Sequence, residues 1–201
     1  MKPAKSLLLR IAGLCGLAAP VISLGLIFIS IALSPWFSWH GNALSDLGVS
    51  SVAILFNLAL ILGGLLDFVF SVGVTRWMGP GWLSRLGSLV LLAGAVALTL
   101  IGVLSEQYLY PHIFVSVSYF FLTPISYLLL GAALLRRGEK APGILTSAAG
   151  VAALAAITLV PHSSLKGIAV PEILAAVLMC CWTFSMGVTL LGQPANRQRS
   201  D

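Results

Sequence analysis

The chain has 201 residues, 59% of them hydrophobic and only 8% charged, against about 25% charged in soluble domains. So small a domain has too much exterior to hide that apolar surface from water, which excludes a soluble globular protein and leaves lipid as the solvent for much of it. The formal charge of +5, from 11 Lys and Arg against 6 Asp and Glu, is scattered between apolar runs and forms no basic stripe, so nucleic acid is not an expected partner.

A membrane-spanning helix needs about 20 mostly apolar residues, and the spacing of the charges predicts six of them. Arg10 to Asp46 encloses 35 uncharged residues. Their first part is expected to form a helix over 11–33, and the rest an aromatic loop, PWFSWHGN. The apolar run is longer than the roughly 7 to 15 residues of a secretory signal, so it is expected to be a retained span. The further helices are predicted over 51–75, 86–105, 112–135, 142–160 and 171–191, bounded by Arg85, Glu106, Arg136, Lys140 and Lys166. The period-2 alternation of a membrane β-barrel is absent. The expected fold class is therefore all-α, a polytopic bundle of six transmembrane helices forming one domain over 1–201.

Alternate connections differ sharply in Lys and Arg. One side holds Lys2, Lys5, Arg10, Arg76, Arg85, Arg136, Arg137, Lys140, Arg197 and Arg199, and the other only Lys166. Short loops rich in these residues stay in the cytoplasm, so both termini are expected there, with the chain in the inner or plasma membrane. Trp36, Phe37 and Trp39 on one side and Trp77 and Trp82 on the other sit where interfacial aromatic belts form. Cys15, Cys180 and Cys181 fall inside predicted helices and read as packing residues. No phosphate-binding, dinucleotide-binding, hydrolase or zinc-protease motif occurs.

What remains is polar chemistry at the outer face, where His40, His112 and His162 all lie, together with Asp46, Glu106 and Glu172. Three imidazoles and three carboxylates are the ligand types of a transition-metal site, with His40, His112 and His162 as its candidates, or of a general acid/base pair. Against this stands a structural reading. Pro111 and Pro171 look like first-turn prolines that place His112 and Glu172 at helix starts, while Asn42, Ser45 and Asp46 are good cap or turn residues. Both readings stay open at this point.

On the fourth helix His112, Ser116, Tyr119, Thr123 and Ser126 are spaced 4, 3, 4 and 3 and form one polar stripe. It serves either interhelical packing or the wall of a cavity descending from His112. Asp67, in GGLLDFVF, lies well inside the second span, where an ionised carboxylate costs on the order of 2.5 to 3.5 kcal/mol. It is expected to pair with Arg76 or Arg85, with a proton relay as the alternative. Asn57, ten residues earlier, lies partly on the same side of that helix.

At NALSDLG, the FN of the second helix, PHIFVSVSYFF and AVPEIL, the chain resembles a family of small six-helix prokaryotic membrane proteins, domain of unknown function 998. The resemblance covers nearly the whole chain and implies a six-span bundle with Ser45, Asp46, Asn57, His112 and Glu172 on the family's recurring polar positions. His40 and His162 match no pattern in it. The arrangement is also distantly similar to the Frag1/DRAM/Sfk1 type of six-span proteins, a likeness of fold only. Neither resemblance carries an activity or a cofactor.

Three functions remain in view. The first is a membrane protein whose outer cluster of Ser45, Asp46, His112, Ser116 and Glu172 binds a small polar ligand or lipid headgroup. The second is an intramembrane lipid hydrolase or transferase using His112 with a carboxylate or metal. The third is a small-molecule or ion transporter whose polar route continues to Asp67.

Overall fold

A computed structural model describes residues 3–159 and 167–193, with side chains from Leu7 onward. His162 and Lys166 lie outside the described residues. Six helices follow in chain order: α1 Pro3–Ala32, α2 Ala53–Met78, α3 Trp82–Val103, α4 Tyr110–Arg136, α5 Lys140–Leu159 and α6 Ala169–Leu191. All six are long and apolar enough to cross a bilayer, and no strand occurs among the described residues. Two short 3-10 turns, Leu44–Val49 and Glu106–Tyr108, lie in the connections at one end.

The helix ends follow local chemistry. α2 stops at Gly79-Pro80-Gly81, whose glycines take φ of +68° and +133°, so α3 begins at Trp82, four residues before the expected start. Gly138, at φ +79°, turns the chain between α4 and α5. α1 begins near the N-terminus instead of at residue 11, because helix hydrogen bonding continues past the apolar run that a bilayer requires. α4 opens with Pro111 in its first turn, as its missing N–H allows.

Each helix packs against its sequence neighbours, and α1 packs against α6, so the six form a closed ring. Short connections make sequence neighbours antiparallel. Large apolar side chains such as Ile54, Phe114 and Leu145 face outward, while Ser71, Ser88, Ser126 and Thr146 are buried. That reversal suits a lipid solvent, in which small and hydroxyl residues let backbones approach.

The two ends differ in composition. Arg76, Arg85, Arg136 and Arg137 stand at one, hereafter the arginine end. There the Arg137 guanidinium donates to the Met78 carbonyl at 2.7 Å, meeting an orphan acceptor at the end of α2, and ion-pairs with Glu139 at 3.0 Å. Arg136 lies over the Trp82 ring. The opposite loop end carries the 33–52 connection, which is tied to the start of α6: Gly167 N–H donates to the His40 carbonyl and Ala169 N–H to the Asn42 carbonyl. Any Cβ at Gly167 would strike the Asn42 backbone.

Candidate functional site

Inside the ring lies a cavity holding about 950 Å³ of space free of protein atoms, its open part included. Five helices and the Leu44–Val49 turn wall it, and α5 contributes nothing, packing behind α4 and α6. Its loop end is polar, with Ser45, His112, Ser116 and Glu172. Beside them stand Ile27, Phe56 and Ile101, each within five residues of the loop-side end of its helix, and the middle is apolar, with Leu24, Leu60, Leu91, Ala95 and Leu98. Its inner end holds Asp67, Ser71, Tyr127, Cys180 and Thr183. From His112 to Tyr127 is fifteen residues of one helix, so the bore is about 22 Å long on that wall. Below it, Tyr127 stacks on Trp182 at 3.9 Å between centroids, and Phe70 meets Trp182 edge-on at 6.0 Å, forming an aromatic floor.

The stripe on α4 is the cavity wall for most of its length: His112, Ser116, Tyr119 and Thr123 line it. Ser126 does not, and instead donates to the Thr123 carbonyl at 2.6 Å. The same spacing recurs on α6, where Glu172, Ala176, Met179, Cys180 and Thr183 fall on one face.

At the loop end each candidate residue has a definite partner. His112, buried, places Nδ1 2.7 Å from the Leu104 carbonyl at the end of α3. A carbonyl only accepts, so Nδ1 carries the proton and the bond satisfies an orphan helix-end acceptor. In the neutral ring Nε2 is then the acceptor, with the Ser116 hydroxyl 3.4 Å away. Glu172, also buried, accepts the Leu44 N–H at 2.8 Å, so it holds the Leu44–Val49 turn against α6 across the chain. Asp46 accepts the Ala43 N–H at 3.2 Å and the Asn42 amide at 2.6 Å, which makes it the cap of its own turn and leaves it off the cavity wall. His112 therefore shares a cavity with Glu172 but hydrogen-bonds neither Glu172 nor Asp46.

Glu106 joins this cluster from the second 3-10 turn, and its Oε2 is buried without a hydrogen-bond partner. Burial raises its carboxyl above the ordinary glutamate range. The Asp46 carboxylate beside it raises it further, while His112 and the Ser45 hydroxyl oppose. The sequence sets Asp46 and Glu106 at the same face on different connections, and the fold brings the two side by side.

Other expectations change. Asp67 makes no ion pair: Arg137 and Glu139 form the salt bridge seen among the described residues, and Asp67 Oδ1 is buried with no partner. Arg76 lies nine residues further along α2, about 13 Å of rise and 900°, which puts it on the opposite helix face. Asn57 turns away from the cavity and donates to the Gly48 carbonyl at 3.0 Å, fastening the 3-10 turn to α2. His40 is exposed and contributes its backbone carbonyl to the Gly167 contact. Among the described residues no group of three His, Cys, Asp or Glu is placed to hold a metal ion, and His162 lies outside them. Cys180, expected to be a packing residue, lines the cavity.

No curated protein and no solved structure matches the chain, and the likeness to the Frag1/DRAM/Sfk1 type finds no support in these comparisons. A family model described as "Protein of unknown function (DUF998)" matches residues 17–189, a stretch that takes in every residue lining the cavity. The chain therefore belongs to the DUF998 family of membrane proteins of unknown function.

Proposed function

We propose that this protein is one six-helix unit over 1–201, in the plasma (inner) membrane with both termini cytoplasmic, and that it binds one elongated amphiphile in its central cavity. The ligand's polar head lies among Ser45, His112, Ser116 and Glu172 and its apolar chain in the bore. The ten-to-one Lys/Arg asymmetry supports the orientation. The observation that carries the binding reading is the continuity of one cavity from a polar end through an apolar middle. A small polar ligand alone would leave that middle unfilled, whereas an apolar chain fits walls of Leu, Ile and Phe.

Mass spectrometry of protein extracted mildly from its native membrane tests this reading. The parent should release about one lipid-soluble molecule per chain. Leu98→Trp, which pushes an indole into the bore, should fold and release none. A parent that carries no such molecule, or a Leu98→Trp protein that carries as much, sinks the proposal.

The Ser116 hydroxyl beside His112 Nε2 favours a second reading, acyl transfer on a lipid ester, with the Leu104 carbonyl fixing the tautomer that leaves Nε2 as the base. Ser116 sits within α4, where amides are committed to helix bonds and supply no donors to a developing oxyanion. Ligand binding is the better-supported use of the site.

A further inference from the structure

We propose that the inner end of the cavity is a receptor for a cationic nitrogen, so that the ligand is polar at both ends: a neutral head at the loop end and an ammonium group against Asp67. This rests on the binding reading above and names the ligand's chemical class. Asp67 lines the cavity about 20 Å from the loop end, fourteen residues into α2, and its buried Oδ1 accepts no hydrogen bond. A buried polar group without a partner calls for a specific reason. Burying a carboxylate against the terminal methyl of a simple lipid would leave its lost hydration uncompensated.

The cavity's other charges point the same way. Asp67 and Glu172 line it, and among the described residues no Lys or Arg does. Beside Asp67 a phosphate would meet a carboxylate, whereas an ammonium group meets a carboxylate it can pair with. Around Asp67 stand Phe70, Tyr119 and Tyr127, aromatic walls whose faces attract organic cations. The Ser71 hydroxyl, one turn on, is committed to the Asp67 backbone carbonyl at 2.7 Å. The Tyr127 hydroxyl likewise donates to the Met179 carbonyl at 3.3 Å. Neither supplies the carboxylate with a donor, and its buried Oδ1 stays free for the ligand.

Two probes with the same hydroxyl head and the same chain, differing only at the far end, isolate the effect: ω-aminododecanol and dodecanol. Binding is measured by titration calorimetry to the full chain in phosphatidylcholine nanodiscs, with empty nanodiscs subtracted. The parent should bind the amino alcohol at least about tenfold more tightly than the alcohol, the size of one charge-assisted hydrogen bond. Asp67→Asn should lose that preference. Equal affinities in the parent, as a protonated Asp67 would give, overturn the cation site and leave the cavity reading standing. So does an Asp67→Asn protein that keeps the preference. If the parent binds neither probe, the cavity reading itself fails and takes this proposal with it. The comparison within the parent does not depend on the variant folding.

Discussion

The halves of the bundle nearest the arginine end and nearest the loop end draw on the same apolar residue types and use them in opposite ways. Toward the arginine end, Val74, Met78, Leu134 and Leu190 are fully enclosed. There α1 meets α6 through Gly13, Gly16 and Gly187, and Gly73 of α2 rests against Ala12. A Cβ at Gly187 would come within 3.0 Å of the Gly13 carbonyl and 3.1 Å of the Leu17 nitrogen, all backbone that has no rotamer by which to move. Toward the loop end the cavity opens between the helices, with α2 and α3 still in backbone contact where Gly102 faces Asn57, and hydrogen bonds between loops and helix ends hold the walls. One half is a seal made where α1 meets α6 through glycine; the other is a container whose rim is fixed by capping. A ligand entering at the loop end thus meets a closed floor, and passage across the membrane would need a second arrangement of the glycine contacts.

The seal is where a single side chain should do most damage. Gly187→Leu forces a branched side chain into backbone on α1, so the expected loss is about 3 kcal/mol or more, enough to abolish recovery of folded protein. Gly25 of α1 has open space where a Cβ would stand. Gly25→Leu should be neutral or stabilising by up to about 1 kcal/mol through helix propensity. Thermal challenge followed by size-exclusion chromatography in detergent compares the two. Equal tolerance at both positions would mean that glycine does not set the α1–α6 approach.

The contrast between seal and container explains what could be read before the fold was in view. Charges separate the spans, so six helices and their boundaries to within a few residues follow from counting; α1 alone extends far beyond its predicted start. Glu172 and His112 stood out because a charge or imidazole near a span is rare. The walls did not, since Leu60 and Leu98 facing a cavity look the same in sequence as Ile54 or Leu145 facing lipid. The stripe on α4 was visible because hydroxyls on an apolar helix mark one face, and four of its five members line the bore. Pairing of Asp67 with Arg76 failed on helix period, a constraint the sequence already contained. The meeting of Asp46 with Glu106 needed the packing of two connections, which no local spacing encodes.

Glu172 tests the container more gently than Gly187 tests the seal. Its carboxylate is the acceptor for the buried Leu44 N–H, the bond that holds the Leu44–Val49 turn over the cavity. Glu172→Ala strands that donor and should destabilise by about 1–3 kcal/mol. Glu172→Gln keeps an acceptor oxygen and should lose much less. Hydrogen exchange at the Leu44 amide reads the effect directly: fast exchange in the alanine variant with slow exchange in the glutamine variant is expected. Equal protection in all three proteins would show that the turn is held by its own cap at Asp46 instead.

The smallest expected effect is electrostatic and lies at the rim, where Glu106 faces Asp46. An acid whose folded pKa is raised holds its proton more tightly in the folded than in the unfolded chain. Its contribution to stability is therefore complete below the unfolded value, near 4.5, and is lost as pH rises through the raised folded value. Above that window the ionised Glu106 is buried at a cost and is repelled by Asp46 across the contact between the two 3-10 turns. Glu106→Gln removes the titration and keeps the shape of the side chain. Thermal unfolding of the parent should fall as pH climbs from 4.5 toward neutral, relative to Glu106→Gln, and the two curves should converge in acid. Because the group is partly exposed, solvent and salt screen the repulsion, so the gap should narrow further as salt is added. No comparable pH or salt response is expected from Gly187, whose contacts carry no charge. A parent and a Glu106→Gln variant that melt together at every pH would mean that neither burial nor Asp46 raises the Glu106 carboxyl, and that the rim is held by hydrogen bonds alone.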